Sequence, residues 1–369
     1  MSEMDSYGRF SRPEWDFLLH DESDCAKRYR EGLTGLLSIY PAGGRNDLEG
    51  RLCSGTTSGF RSACMELRLF GLLRAIGDVE VHPTIGNTNR HPDFRVTTND
   101  GDVFVEAVLA LDRDEEREQQ ERFRLLLDSI DSLNFPFSVW VQGWTGLTPG
   151  FDIAPIVEFL REQLSAQALR ETSGAHVLTY REETQQGRVE VDFEVWSREE
   201  AVADGLVELW GPGRARAVTT HEKIRWRVRN KATRYGELGA PFVVAIWPGE
   251  EFPPIEGTVL AGLYGDVQVT LSLVDKSYRE IGRTHNGAFN TIAGGRTLNT
   301  EVGAAAVYWE RLVDRGWEHF WFIYHNPYAD RPVSANFFGN IPQFVFERSG
   351  NGLNGHWLDG RNPWATVWH

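Results

Sequence analysis

The sequence predicts an α/β protein, and three observations carry that expectation. Segments of helical periodicity alternate with β-branched and aromatic runs along the chain. The run PFVVAIWP, residues 241–248, is apolar without a break, as a strand covered on both faces is. Two apolar arms flank Asn99, Asp100 and Gly101, residues that tolerate the positive φ of a tight turn, so HPDFRVTTNDGDVFVEAVLA reads as a hairpin. With 369 residues and 41% apolar content, the chain can bury a substantial core as one elaborated domain or two.

Taken in order, Ser23 to Tyr40 reads as a helix ended by Pro41 and a loop, AGGRND. A helix from Thr57 to Ile76, stopped by Gly77, leads into a short strand, VEVHP, and then the hairpin. DRDEEREQQERF begins a solvated helix with Phe123, Leu126, Leu127 and Ile130 on its buried side, and FPFSVWVQ is a strand. Pro149 and Gly150 break the chain before a helix through IVEFLREQL, and RVEVDFEVW alternates as a strand does. A basic helix, Val218 to Leu238, precedes PFVVAIWP. Beyond residue 255 the signals mix: AAAVYW and HFWFIYHN read as strands, HNPYADRPV as a connection, and the end from Gly339 shows little periodicity.

Composition excludes several classes. There is no stretch of 18 apolar residues, and MSEMDSYGRFSRPEWDF lacks a basic and an apolar leader region, which argues against a membrane span or secretory signal and for the cytoplasm. Cys25, Cys53 and Cys64 show no CxxC spacing, against a disulfide framework or structural zinc. Thirteen tryptophans are scattered along the chain, which favours core packing over sugar stacking. A net charge of −15 requires any nucleic-acid partner to find a local patch. Arg214, Arg216, Lys223, Arg225, Arg227, Arg229, Lys231 and Arg234, facing only Glu222 and Glu237, supply one, unless they form a solvated helix that balances acidic neighbours.

The hairpin carries two carboxylates where strand side chains belong. Val103, Val105, Ala107 and Leu109 make one apolar face, while Phe104, Glu106 and Val108 point to the other. If Asp100 and Gly101 form the turn, Asp93 lies opposite Val108 and diagonal to Glu106; if Asn99 and Asp100 do, Asp93 faces Glu106. Either register puts both carboxylates on one face, within reach of one divalent cation. The plainer alternative is two solvent-facing residues paired with Arg95. Two further side chains break helical periodicity. Glu66 falls inside the stripe of Met65, Leu69, Phe70, Leu73 and Ile76, and Lys231 is in line with Ile224, Val228, Tyr235 and Leu238. Lys231 is one of only four lysines against thirty-four arginines, which favours a specific use.

A helix carrying Glu66, a strand pair with Pro92-Asp93, and Glu106 on the next strand resemble the PD-(D/E)XK nuclease superfamily. The resemblance implies a restriction-endonuclease-like core of a mixed central sheet flanked by helices. Glu66 would be its accessory acid, Asp93 the central metal ligand and Glu106 the first residue of the ExK element. The lysine of that element should stand at 108, where this chain has Val108. KATRY, Lys231 to Tyr235, has the KxxxY spacing of a helix similar to the QxxxY helix of RecB-like nucleases, which would make Lys231 the displaced lysine. On this assignment residues 1–55 are a helical extension, 56–250 the core with an insertion at about 111–215, and 251–369 a C-terminal α/β elaboration. The competing assignment takes 113–132 as the second core helix and FPFSVWVQ as the fourth strand.

The resemblance implies a Mg²⁺- or Mn²⁺-dependent endonuclease acting on DNA. Glu66, Asp93 and Glu106 would hold metal, Lys231 would act in catalysis, and Arg227, Arg234 and Tyr235 would contact backbone phosphates. A homodimer or partner protein stays open. Val108 keeps a second reading alive, a catalytically inactive nuclease-fold protein that binds nucleic acid or protein. A third is an unrelated α/β protein with structural carboxylates.

Overall fold

The computed structural model describes residues 8–85, 90–110, 114–133, 135–148, 150–165, 174–185, 187–197, 220–249, 255–271, 278–313, 316–349 and 352–364. The chain divides into two compact units, Met1–Pro13 with Asp112–Val218, and Glu14–Leu111 with Thr219–His369. Among the described residues no helix is long and apolar enough to cross a membrane.

The first unit is a three-stranded antiparallel sheet with two helices, α5 (Asp114–Asp131) and α6 (Ala154–Ser165). Its strand order is β4 (Phe137–Thr145), β6 (Gly187–Ser197), β5 (Ala175–Thr184). Leu126 and Ile130 of α5, Ile156 and Leu160 of α6, and Val191, Phe193 and Val195 of β6 close one core. Alternation in RVEVDFEVW therefore buries one face of β6. Among the described residues β4 pairs only with β6, so FPFSVWVQ does not join the sheet next to β3 as the competing assignment expects.

The second unit holds an eight-stranded mixed sheet flanked by helices. In sheet order its strands are β1 (Asp78–Val81), β2 (Phe94–Thr98), β3 (Gly101–Leu109), β7 (Phe242–Trp247), β12 (Val302–Val313), β13 (Gly316–His325), β14 (Gln343–Ser349) and β15 (Gly352–Trp357). β1, β2 and β3 are antiparallel, whereas β7 runs parallel to both β3 and β12. That central place explains PFVVAIWP: all six residues of β7 are buried, because helices cover both faces of the sheet. β8 (Val267–Leu271) with β9 (Tyr278–Arg283), and β10 (Ile292–Ala293) with β11 (Arg296–Thr297), form two small ribbons.

The two faces follow the two-residue period of each strand. Val103, Val105, Val243 and Ala245 point to the side of α1 (Glu14–His20), α2 (Asp24–Ile39), α3 (Ala42–Leu52) and α4 (Thr57–Arg74). Phe104, Val108, Val244 and Ile246 point to α7 (Thr220–Ala232) and α8 (Glu256–Tyr264). At Gly262 a side chain would meet the His221 carbonyl at 2.9 Å, so glycine permits the close approach of α8 to α7.

Three sequence expectations are corrected. AGGRND is not a loop but opens α3, because Leu48 and Leu52 give that stretch a buried side despite its glycines. Arg45 Nη2 bonds the Ser38 and Tyr40 carbonyls and closes the corner between α2 and α3. The basic helix stops at Ala232, short of Leu238, and Arg214 and Arg216 lie outside the described residues. The aperiodic tail contains β14 and β15, so residues after 251 supply α8 and four strands of the same sheet.

α4 is the packing hub on its side, with Thr56 Oγ1 capping its start by accepting the Gly59 N–H at 3.2 Å. Phe70 sits edge-on to Tyr40, 4.7 Å between ring centres, and stacks on Phe94. Phe70→Ala should cost about 3–5 kcal/mol through the cavity it leaves, read as a lowered urea midpoint of unfolding.

Candidate functional site

The hairpin turns at Asn99 and Asp100, since Thr98 pairs with Gly101 and Phe94 with Val105. Carrying that register one residue back puts Asp93 level with Glu106, the second of the two registers the sequence allowed. Arg95 does not serve these carboxylates, because it forms an ion pair with Glu80.

Glu106 lies in the middle of β3 on the α7 side, beside Val244 of β7, with its side chain 4% exposed. A carboxylate this buried needs donors on both oxygens. Oε1 accepts from Lys231 Nζ and from Arg234 Nη1 at 3.4 Å, and Oε2 accepts from the Tyr235 hydroxyl at 2.5 Å. Lys231 stands in the last turn of α7, with Ile224 and Val228 buried on the same side, so helical phase brings its ammonium to the sheet. Tyr235 follows the helix end, where Gly236 turns the chain with φ +66°. Burial and then Glu106 push the Tyr235 phenol well above its ordinary value, so it stays a donor.

Glu66 is held in a similar way on the other side. It is buried within α4, as its place in the apolar stripe required. Its Oε1 accepts from the Tyr40 hydroxyl at 2.6 Å and its Oε2 from Arg51 Nη2 at 2.5 Å. Burial, the largest single cause, would lower the Arg51 guanidinium, but Glu66 and Asp47 together outweigh it and the net shift is upward. Burial, then Glu66, raises the Tyr40 phenol.

Asp93 belongs to this charge cluster. Its Oδ2 accepts the Ala107 N–H at 2.7 Å, and its carbonyl accepts the His82 N–H at 2.8 Å. Burial, followed by the charges of Glu106 and Glu66, lifts its carboxyl well above the ordinary carboxylate range against the pull of Ala107 N–H and Lys231. His82 occupies the left-handed region at φ +49°, uncommon for a side-chain-bearing residue, and its Nε2 lies 3.9 Å from Glu66 Oε1. Its backbone is thus fixed by one site carboxylate's residue while its ring faces another.

The structure therefore brings Glu66, Asp93, Glu106 and Lys231 into one electrostatic cluster. Tyr235 is buried with its hydroxyl committed to Glu106, rather than presented to a phosphate. Arg234 stays half exposed beside Glu106, and Arg227 lies over the Trp226 ring. Of the other cations, Arg225 bonds Asp266 and the Ala261 carbonyl, and Arg229 the Asn286 carbonyl and Thr291, so both are used in packing α7. Sequence reasoning missed Tyr40, Arg51 and His82, because taking AGGRND as a loop hid the helix that carries Arg51.

Among the described residues, no group of three or more His, Cys, Asp or Glu side chains is gathered closely enough to hold a metal ion. The donors are all oxygen, the chemistry that suits a hard divalent cation. Glu106 and Glu66 each already carry a donor on both oxygens.

No family model, curated protein or solved structure matches this chain. Fold and site alone define an α/β protein with a large mixed sheet flanked by helices, and a buried carboxylate cluster beside its parallel β3–β7 pair.

The raised Asp93 carboxyl has a pH consequence. The folded chain binds this proton more tightly than the unfolded one, so stability falls as pH rises from about 4, the ordinary aspartate value, towards the raised value. Asp93→Asn keeps an oxygen for the Ala107 N–H and removes the charge. Its thermal midpoint should exceed the parent's at pH 8, with the gap closing near pH 3.5.

Proposed function

We propose that the chain is a metal-dependent nuclease that hydrolyses phosphodiester bonds, of DNA in the first place, on a restriction-endonuclease-like core. The observation that carries this reading is the contact of Lys231 with Glu106. The position two residues after Glu106, where the ExK element would have its lysine, is Val108, buried among apolar neighbours, and an ammonium arrives instead from α7. The order α4, antiparallel β1, β2 and β3, then α7 and a β7 parallel to β3 supports the same core, with residues of the first unit inserted between β3 and α7.

Asp93 and Glu106, with Glu66, would hold Mg²⁺ or Mn²⁺. The all-oxygen donor set suits such a cation, and the charges of Glu106 and Glu66, which after burial raise the Asp93 carboxyl, are ones a cation would relieve. When bound, the ion supplies neutralisation of the scissile phosphate and a more acidic water. Lys231, held against Glu106, would stabilise the negative charge that develops on the phosphoryl oxygens as the water attacks. Arg234, 46% exposed at the edge of the cluster, would contact a backbone phosphate and position the strand. Tyr40 and Tyr235 hold Glu66 and Glu106 in place, and the Ala107 N–H orients Asp93.

Val108 also favours one alternative, a nuclease-fold protein without catalysis that binds nucleic acid or protein. A plasmid assay separates the two. The parent with Mn²⁺ should nick supercoiled DNA and be silenced by EDTA, and Asp93→Ala or Glu106→Ala should abolish cleavage. Unchanged Mn²⁺ binding by calorimetry in both variants would remove the shared metal site. Lys231→Met keeps the aliphatic stem and should slow cleavage by roughly a hundredfold or more with metal binding retained. A parent that is inert but gains cleavage with Val108→Lys would establish the alternative.

The two arginines expected at the phosphates give a separate measurement. Neutralising Arg227 and Arg234 together should weaken DNA binding and flatten its salt dependence by about one unit of slope per lost phosphate contact. An unaltered slope would move the interface off α7.

A further inference from the structure

Among the described residues, Trp226 is the one tryptophan left exposed, at 56%. The other described tryptophans are buried or half-buried, as scattered core aromatics are. Trp226 takes no part in the α7 core contacts, which Ile224, Val228 and Ala232 make. It occupies the outer stripe of the helix with Glu222 and Asn230, one turn to either side. The Arg227 guanidinium lies 4.7 Å from the centre of its ring, and Lys223 is three residues before it on the same side.

A single exposed apolar side chain is ordinary, but the setting of this one is not. The ring stands within the chain's densest run of cations, in a protein of net charge −15. Charge complementarity therefore selects a polyanion, and an open indole face selects a polyanion with flat rings to place on it. Duplex DNA offers a protein its sugar–phosphate edges and the rims of its grooves, with base faces stacked away. A single strand offers both phosphates and free base faces.

We propose that Trp226 is a base-stacking platform for single-stranded DNA. The platform rests on the nuclease reading only for what then happens to the bound strand. Arg227 both covers part of the indole and supplies charge near the phosphates, so cation and ring act together on one nucleotide.

Fluorescence anisotropy with a labelled oligothymidine, and with a duplex of the same length, tests this in EDTA so that no cleavage intervenes. Trp226→Ala should weaken single-strand binding about tenfold, the middle of the range for losing one stacked base. Duplex binding should change less than twofold, and Trp226→Phe, which keeps an aromatic face, should stay within about threefold of the parent. Equal single-strand affinity in parent and Trp226→Ala, an equal loss on both DNAs, or a parent that prefers duplex would overturn the platform. If oligothymidine binding depends on Trp226 while the parent never nicks plasmid with Mn²⁺, the platform stands and the nuclease reading falls. If the parent cleaves but its binding does not depend on Trp226, the platform falls and the nuclease reading stands.

Discussion

Placing an ionised carboxylate in the middle of a buried strand puts an obligation on the rest of the chain. Glu106 cannot stay charged at 4% exposure unless cations and hydroxyls come to it, because desolvating a lone carboxylate costs several kcal/mol. Lys231 and Tyr235 meet that need from positions 125 and 129 residues further on. To deliver them, α7 must lie across β3, and the strand that follows α7 must enter the sheet beside β3. The parallel β3–β7 pair and the polar cluster are thus two sides of one arrangement.

The same rule operates at Glu66, with different suppliers. Arg51 and Tyr40 come from the chain before α4, so residues that look like an N-terminal extension build half of the cluster. Gly44 allows this, because a side chain there would meet the Tyr40 ring at 2.9 Å. Each flanking glutamate therefore has its own tyrosine and its own cation. Asp93 is buried beside two negatively charged neighbours, which together outweigh the pull of its one backbone N–H donor, and so its proton is the one held tightly.

Much of this was legible in the residues, for reasons that can be named. Helical phase alone put Glu66 in an apolar stripe and aimed Lys231 at the sheet, since one residue per 100° leaves no freedom about which side a side chain takes. The two-residue period of β3 put Glu106 opposite the Val103 and Val105 face, and the unbroken apolarity of PFVVAIWP marked a strand covered on both sides. Local chemistry failed where long-range packing overrode it. Two glycines after a proline read as a loop, yet Leu48 and Leu52 anchor that stretch as a helix. The tail after Gly339 has no period, because β14 and β15 get their order from pairing with β13 and with each other.

The sequence by itself determined the α/β class, the faces of individual helices and strands, and the set of charged residues that break those faces. These follow from covalent geometry and local periodicity, which act within a few residues. Only the tertiary structure decided the hairpin register that brings Asp93 level with Glu106 and the choice of β7 over β4 as the partner of β3. It also decided the recruitment of Tyr40, Arg51 and His82 to the carboxylates. Those outcomes depend on which distant segments can bury their surfaces together while neutralising a desolvated charge, and no local pattern encodes that competition.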